Sequence, residues 1–222
     1  MLQNWPIEGR PREKLIREGA NSLSDAELIA IILRTGTRGK SAVQLAQELI
    51  NCFGDIRGLL TCEFKQLQAV KGLGPAKYAQ IAAVKTIAQR SLKEKLKSKQ
   101  ALSDPMGAKK FLLSTMRDYQ HEVFACLLLN SRNQLIRYEE LFTGTIDGAN
   151  VHPREVVKLV LRVNAASVIF AHNHPSGDHR PSAADKEITK RLKQALELVD
   201  VRVLDHIIVG ETTLSMAEHG WL

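Results

Sequence analysis

Two histidines and an aspartate stand close together in one stretch of the chain: His172-Asn-His174-Pro-Ser-Gly-Asp-His-Arg-Pro-Ser182-Ala-Ala-Asp185. In extended backbone, residues i and i+2 face the same side, so His172 and His174 can aim at one point. Asp185 falls in the first turn of a helix that Ser182 can cap, where a carboxylate is electrostatically favoured. Two imidazoles and one carboxylate are a donor set for Zn2+, with the fourth position left to water. Zinc lowers the pKa of such a water from about 15.7 to about 7, which makes a hydroxide nucleophile available at neutral pH. Pro175, Gly177 and Pro181 shape the intervening loop. His179, in the same loop, is read as solvent-exposed, because a fourth protein ligand would close the site.

A lone His-x-His pair carries little information. Ser182 and Asp185 extend it to HxH-x7-S-x2-D. This pattern resembles the zinc motif of the JAMM (MPN-type) metalloprotease superfamily. The run His-Asn-His-Pro-Ser-Gly, with Asp205-His-Ile-Ile-Val-Gly further on, resembles the RadC branch of that superfamily. The resemblance covers residues from about 104 to 222, and the N-terminal half also resembles RadC proteins. It implies a zinc peptidase or isopeptidase acting on a peptide or protein substrate. His172, His174 and Asp185 match the ligand positions, and Ser182 matches a serine that helps bind the oxyanion. The resemblance also implies an upstream glutamate at the start of an early strand, which passes a proton from the water to the leaving group. Glu122 fits that place, with Glu139 and Glu140 at the end of the next strand as competitors. Ser182 is equally suited to cap the helix, and one side chain is hard to assign to both tasks. Asp205-His206 reads either as a turn or as a carboxylate that orients a ligand imidazole. His121 and His219 read as exposed, and nothing requires His152 at the site.

The elements that must hold these residues are legible from periodicity. Glu122–Asn130 and Leu135–Phe142 read as the strands of a hairpin across Ser131-Arg-Asn-Gln. Pro153 can open a helix that continues over 154–164. Ser167–Ala171 reads as a short buried strand, followed by a loop over 172–181 and a capped helix to about Leu198. Val201–Leu204 and His206–Gly210 read as two strands, with Thr213–Met216 as a last one. The expected fold is therefore α/β (α+β), with two helices beside a mixed sheet in the second half. The first half shows no strand-like alternation. Helical spacing begins at Asp25 behind the cap Ser24, and again at Ser41 and Glu63. It resumes over 76–92 after the tight turn Gly72-Leu-Gly74-Pro75. The charged run 93–100, with Ser103-Asp-Pro after it, marks a boundary between domains 1–100 and 101–222.

Charge divides the same way. The chain has 222 residues and a formal net charge of +7; residues 1–100 carry +8 and residues 101–222 carry −1. A basic module is compatible with nucleic acid. Val70-Lys-Gly72-Leu-Gly74-Pro-Ala-Lys77 resembles the hairpin of helix-hairpin-helix DNA-binding motifs, in which the turn and a helix N-terminus meet a phosphate. Lys71 and Lys77 would add charge. Tyr78 departs from that motif, which usually has a small residue there. The basic segment Arg34-Thr-Gly-Thr-Arg38-Gly-Lys40 either binds phosphate or connects helices. Cys52, Cys62 and Cys126 form no CxxC pair, which argues against a disulfide framework or a thiolate metal site. Met1-Leu-Gln-Asn-Trp-Pro is not a secretory signal, and no apolar stretch is long enough to span a bilayer. The expectation is a cytoplasmic protein without membrane association.

Three functions follow for comparison. The first is a zinc hydrolase of peptide or isopeptide bonds. The second is a DNA-associated protein, linked to repair, whose metal site is structural or regulatory. The third is a nuclease that turns the activated water on a phosphodiester.

Overall fold

The computed structural model describes residues 9–97, 105–144 and 151–222. The chain forms two compact units, Met1–Ala88 and Gln89–Leu222, which divide inside a helix. Of the expected linker, residues 93–97 are helical, and 98–100 with 103–104 lie outside the described residues.

The described part of the first unit is helical. It begins with α1 (Pro11–Glu18), followed by α2 (Asp25–Leu33) and α3 (Ala42–Phe53). Short helices α4 (Ile56–Thr61) and α5 (Phe64–Gln68) lead to the long α6 (Pro75–Lys97). Ser24 caps α2 and Ser41 caps α3, each in a reciprocal capping box with the residue three positions on, Glu27 and Gln44. Leu33, Leu45, Leu49, Leu59, Leu67 and Ile81 meet in one apolar core. Tyr78 packs on that core with its ring against Phe64, at 5.2 Å between centroids. Gly58 lies inside α4, where a side chain would collide with the Phe53 carbonyl, so glycine is needed for close packing.

The second unit is built on a five-stranded sheet in the order β2-β1-β3-β4-β5. Strands β1 (Val123–Leu129) and β2 (Leu135–Thr143) form an antiparallel hairpin, with β2 at the edge. β3 (Ser167–Asn173) runs antiparallel to β1 and parallel to β4 (Arg202–Val209), and β5 (Thr213–Ser215) pairs antiparallel with β4. α7 (Pro105–Met116), α8 (Pro153–Arg162) and α9 (Ala183–Glu197) complete the unit.

Alternation along the strands separates two cores. Val123, Ala125, Leu127, Ile169, Ala171 and Ile207 face Phe111, Leu112 and Met116 of α7. Phe124, Cys126, Leu128, Val168 and Phe170 face Val156 and Val160 of α8 and Ile188 and Leu192 of α9. β1 and β3 are buried along their whole length, which is why β1 is apolar throughout and β3 is apolar over Val168–Ala171.

Three details differ from the sequence reading. β3 continues through His172 and Asn173, because both pair in the ladder with β4; His172 is a strand residue, not a loop residue. The segments on either side of Asp205 are one strand, β4; a register shift between the pairs Val168–Val203 and Ile169–Asp205 is a bulge that mimics a break. α7 was not anticipated, although Ala108, Phe111, Leu112 and Met116 fall at helical spacing behind Pro105.

Candidate metal centre

β3 ends and α9 begins at the same place, and the three expected ligands meet there. His172 Nε2 lies 2.9 Å from His174 Nε2. It lies 3.1 Å from Asp185 Oδ1, and His174 Nε2 lies 3.7 Å from Asp185 Oδ2. Tetrahedral zinc with ligands at about 2.0–2.1 Å sets neighbouring donors about 3.3–3.4 Å apart. The observed separations straddle that edge length, so the donor set fits one such ion. His172 and Asp185 are buried, and His174 is half-buried, which leaves one open side.

Each donor is held by a different device. Ser182 caps α9: its Oγ accepts from the Asp185 amide at 3.1 Å, and Asp185 Oδ2 accepts from the Ser182 amide at 2.7 Å. This is a capping box with aspartate at its third helical position. It turns the other carboxylate oxygen, Oδ1, toward His172. Ser182 accepts an amide and so still has its own hydroxyl proton to donate. The helix cap and an oxyanion contact are therefore compatible in one exposed side chain.

His174 Nδ1 sits 2.6 Å from the Asp178 carbonyl. A carbonyl only accepts, so Nδ1 carries the proton and Nε2 presents its lone pair. The loop that carries Asp178 is itself fastened. The Glu211 amide donates to the Gly177 carbonyl, and the His174 amide donates to the Val209 carbonyl, both at 2.8 Å. Gly210 lies so close beneath that a Cβ there would strike the Gly177 carbonyl. The glycine of Asp205-His-Ile-Ile-Val-Gly210 thus makes room for the ligand loop.

Charge follows geometry. Burial pushes the Asp185 carboxyl up, but the His172 and His174 rings and the Ser182 amide outweigh it, and the group stays well below the usual carboxylate range. Burial pushes His172 down, with Asp185 in partial opposition. The hydrogen bond to Asp185 raises His174, with burial opposing.

Of the three candidate glutamates, Glu122 is at this end of the sheet. It precedes Val123, which faces α7, and so projects toward the α9 side like Phe124, the ladder partner of His172. Its negative charge acts on both His172 and His174. Glu139 pairs with Arg137 at 2.6 Å and acts on Cys126. Glu140 accepts from the hydroxyls of Tyr119, at 2.6 Å, and Tyr138, at 3.0 Å. Both competitors are engaged along the edge strand.

Three positioning residues escaped the sequence reading. Asn173, the middle residue of His-x-His, is fully buried. Its Oδ1 accepts from the Val123 amide at 2.8 Å and its Nδ2 donates to the His121 carbonyl at 3.0 Å. It therefore clamps the backbone on both sides of Glu122. His206 contacts His172 from behind, and Thr189 contacts His206 in turn. Asp205 does not orient an imidazole: it accepts from Ser215 Oγ at 2.6 Å and from the backbone amides of His206 and Ala217. His179 contacts Thr212 at 3.3 Å, His219 contacts the Ser215 carbonyl at 2.8 Å, and His121 stacks on Tyr119; none joins the cluster. His152 is the exposed residue before α8.

Comparison with known proteins identifies the family. A family model described as RadC-like JAB domain matches residues 102–221, and one described as UPF0758 N-terminal matches residues 2–79. The chain belongs to the RadC family. Its second unit is thus a domain of the MPN/JAMM superfamily. UPF0758 proteins of Thioalkalivibrio sulfidiphilus and Nitrosococcus oceani are 54% and 55% identical to it, each over 100% of this chain and 99% of the relative. That of Saccharophagus degradans is 54% identical with the same coverage. No helix of the described residues is long and apolar enough to cross a membrane.

In the first unit, the expected phosphate contacts divide. The ammonium of Lys77 donates to the Gly36 carbonyl at 3.1 Å and the Gly72 carbonyl at 3.4 Å, and burial lowers its pKa. It ties the 34–40 loop to the 70–75 hairpin, where Gly72 adopts φ +88° and leaves no space for a Cβ beside Thr37. Lys40 pairs with Glu48 at 2.7 Å. Arg38 and Lys71 stand exposed on the two joined loops.

Proposed function

We propose that this RadC-family protein is a zinc-dependent hydrolase of peptide or isopeptide bonds. The observation that carries the reading is the convergence of three donors at zinc-like spacing, beside a glutamate whose charge reaches both imidazoles. His172, His174 and Asp185 would hold the ion, and zinc supplies Lewis acidity and a water of lowered pKa. The protein's own residues do the rest. Glu122 takes a proton from the water and returns it to the leaving amine. Ser182 donates a hydrogen bond from its hydroxyl to the oxygen of the tetrahedral species formed from the substrate carbonyl. The half-open side at His174 and Ser182 is where an extended peptide approaches.

Metal analysis of purified protein should give about one zinc per chain, and His172→Ala should abolish it. A screen of peptide and isopeptide substrates should show turnover that Glu122→Gln removes while zinc remains bound. Zinc content unchanged by His172→Ala defeats the site. Activity that survives Glu122→Gln defeats the assigned base.

A second reading concerns the first unit. Arg38 and Lys71, set on loops that Lys77 fastens together, form a basic edge suited to backbone phosphates of duplex DNA. Such contacts would recruit the hydrolase to DNA-bound substrates. Binding of the full chain to a short duplex should weaken steeply with salt, and Arg38→Ala with Lys71→Ala should flatten that dependence. Absence of binding at low salt removes the idea.

A further inference from the structure

Behind His172, two further side chains continue inward in a single line. His172 Nδ1 lies 2.8 Å from His206 Nε2. His206 Nδ1 lies 2.5 Å from Thr189 Oγ1, and Thr189 Oγ1 lies 2.5 Å from the carbonyl of Asp185. All three side chains are buried: His172 and His206 at 0% exposure, Thr189 at 2%. The rings of Phe124 and Phe170 stand edge-on to His206, at 5.6 and 6.0 Å, and keep the line dry.

The proton positions along this line follow from elementary donor and acceptor rules. The Asp185 carbonyl has no proton, so the Thr189 hydroxyl donates to it. That single proton is then spent, and Thr189 Oγ1 can only accept from His206, so Nδ1 of His206 carries hydrogen. His206 is fully buried among the Phe124 and Phe170 rings, where an uncompensated charge is costly, so its ring is neutral. Its Nε2 is therefore a lone pair, which accepts Nδ1–H of His172. The remaining nitrogen of His172, Nε2, is left as a lone pair facing His174 and Asp185. The line returns to the site, because Asp185 supplies both its terminal carbonyl and the carboxylate beside His172 Nε2.

We infer that Thr189 and His206 are positioning residues that lock His172 in the Nδ1–H tautomer, so that its Nε2 is free to bind a metal. The inference rests on the zinc reading for its consequence, but the tautomer is a property of the metal-free chain. It explains why a second neutral imidazole lies buried behind a ligand. A carboxylate there would also accept Nδ1–H, but would place another negative charge beside Asp185. His206 accepts the same proton without charge.

The test compares wild type, Thr189→Val and Thr189→Ser. Nitrogen-15 NMR of the metal-free wild type should show His172 protonated at Nδ1 and unprotonated at Nε2. In Thr189→Val, His206 loses its acceptor and can turn its proton toward His172, so His172 should become a mixture of tautomers. Thr189→Ser keeps the hydroxyl and should restore the wild-type spectrum. Zinc affinity, measured by competition with a chelator, should fall about 10–100-fold in Thr189→Val and recover in Thr189→Ser. A wild-type His172 protonated at Nε2 overturns the inference with no variant needed. So does a Thr189→Val protein with an unchanged spectrum and unchanged affinity. A wild type with the expected tautomer that takes up no zinc supports the lock and overturns the zinc reading instead.

Discussion

Replacing Asn173 with alanine isolates the placement of Glu122 from the metal ligands. Asn173 lies on β3 between the two histidines, yet its side chain faces the α7 side, opposite His172. It makes two hydrogen bonds, one from the Val123 amide and one to the His121 carbonyl. Their costs on removal differ. Val123 is 2% exposed, so its amide loses its acceptor where water does not reach. A buried unsatisfied donor costs about 1–3 kcal/mol. His121 is exposed, and water replaces the second bond at little cost. With the lost packing of a fully buried side chain, the total is about 3 kcal/mol. At about 2–4 °C per kcal/mol for a chain of this size, Tm falls by roughly 6–12 °C.

Four assays read the consequence separately. Thermal unfolding reports the cost. Amide hydrogen exchange at Val123 should accelerate selectively. Chelator competition should show zinc still bound, because Asn173 contacts neither ligand ring. Turnover should fall about 100-fold, since a displacement of the base by about 1 Å costs that much. Asn173→Asp sharpens the result: it keeps an acceptor for Val123 but sets a carboxylate oxygen against the His121 carbonyl, and should be the worse of the two. A normal Tm with Val123 still protected in Asn173→Ala would refute the clamp. A destabilised variant with full turnover would refute the role of Glu122.

Glycines of the first-unit hairpin should separate fold from contact. Gly72→Ala should lower stability by about 1–3 kcal/mol, as a Cβ there meets Thr37 at positive φ. Gly74→Ala has open space and should be neutral or stabilising by about 0.4–1 kcal/mol in denaturant titrations. The Glu27 carboxyl is lowered by the Ser24 amide, against burial, with help from Lys14. Its stabilisation is complete above its unfolded pKa of about 4.3 and is lost as pH falls through the lower folded value. Glu27→Gln should therefore cost about 0.3–1 kcal/mol at pH 7, and the gap should close on acidification below pH 4. Burial raises the Cys126 thiol, and maleimide should label exposed Cys52 in the native protein while Cys126 reacts only after unfolding.

Much of this was legible from short-range rules. The Ser24 and Ser182 caps, the β1–β2 hairpin and the apolar runs of β1 and β3 follow from neighbours in sequence. What was not legible depends on partners far along the chain. β3 runs two residues past Ala171 because β4 pairs with His172 and Asn173, and polar residue types alone suggest a loop. Asp205 looks like a strand end because a carboxylate inside a sheet is costly to desolvate, yet Ser215 and two amides satisfy this half-buried one. The His206–Thr189 line joins β4 to α9 across 17 residues, and nothing in the spacing announces it. Lys77 reads as a phosphate contact until the Gly36 carbonyl, 41 residues away, is found beneath it.

Each interval in HxH-x7-S-x2-D has its own structural cause. The first is the two-residue period of a strand, which turns both imidazoles to one side. The last is the spacing of a capping box, from N-cap to the third helical position. The seven residues between them cross from β3 to α9 over Gly210, pinned at Gly177 and His174. Capping boxes usually place Glu or Gln at the last position. Aspartate is one methylene shorter, so its carboxylate stays over the start of α9, with one oxygen on the Ser182 amide and the other on His172. The helix start favours its negative charge. The same two hydrogen bonds that begin α9 therefore aim a ligand at the site, and the site is assembled when the helix forms.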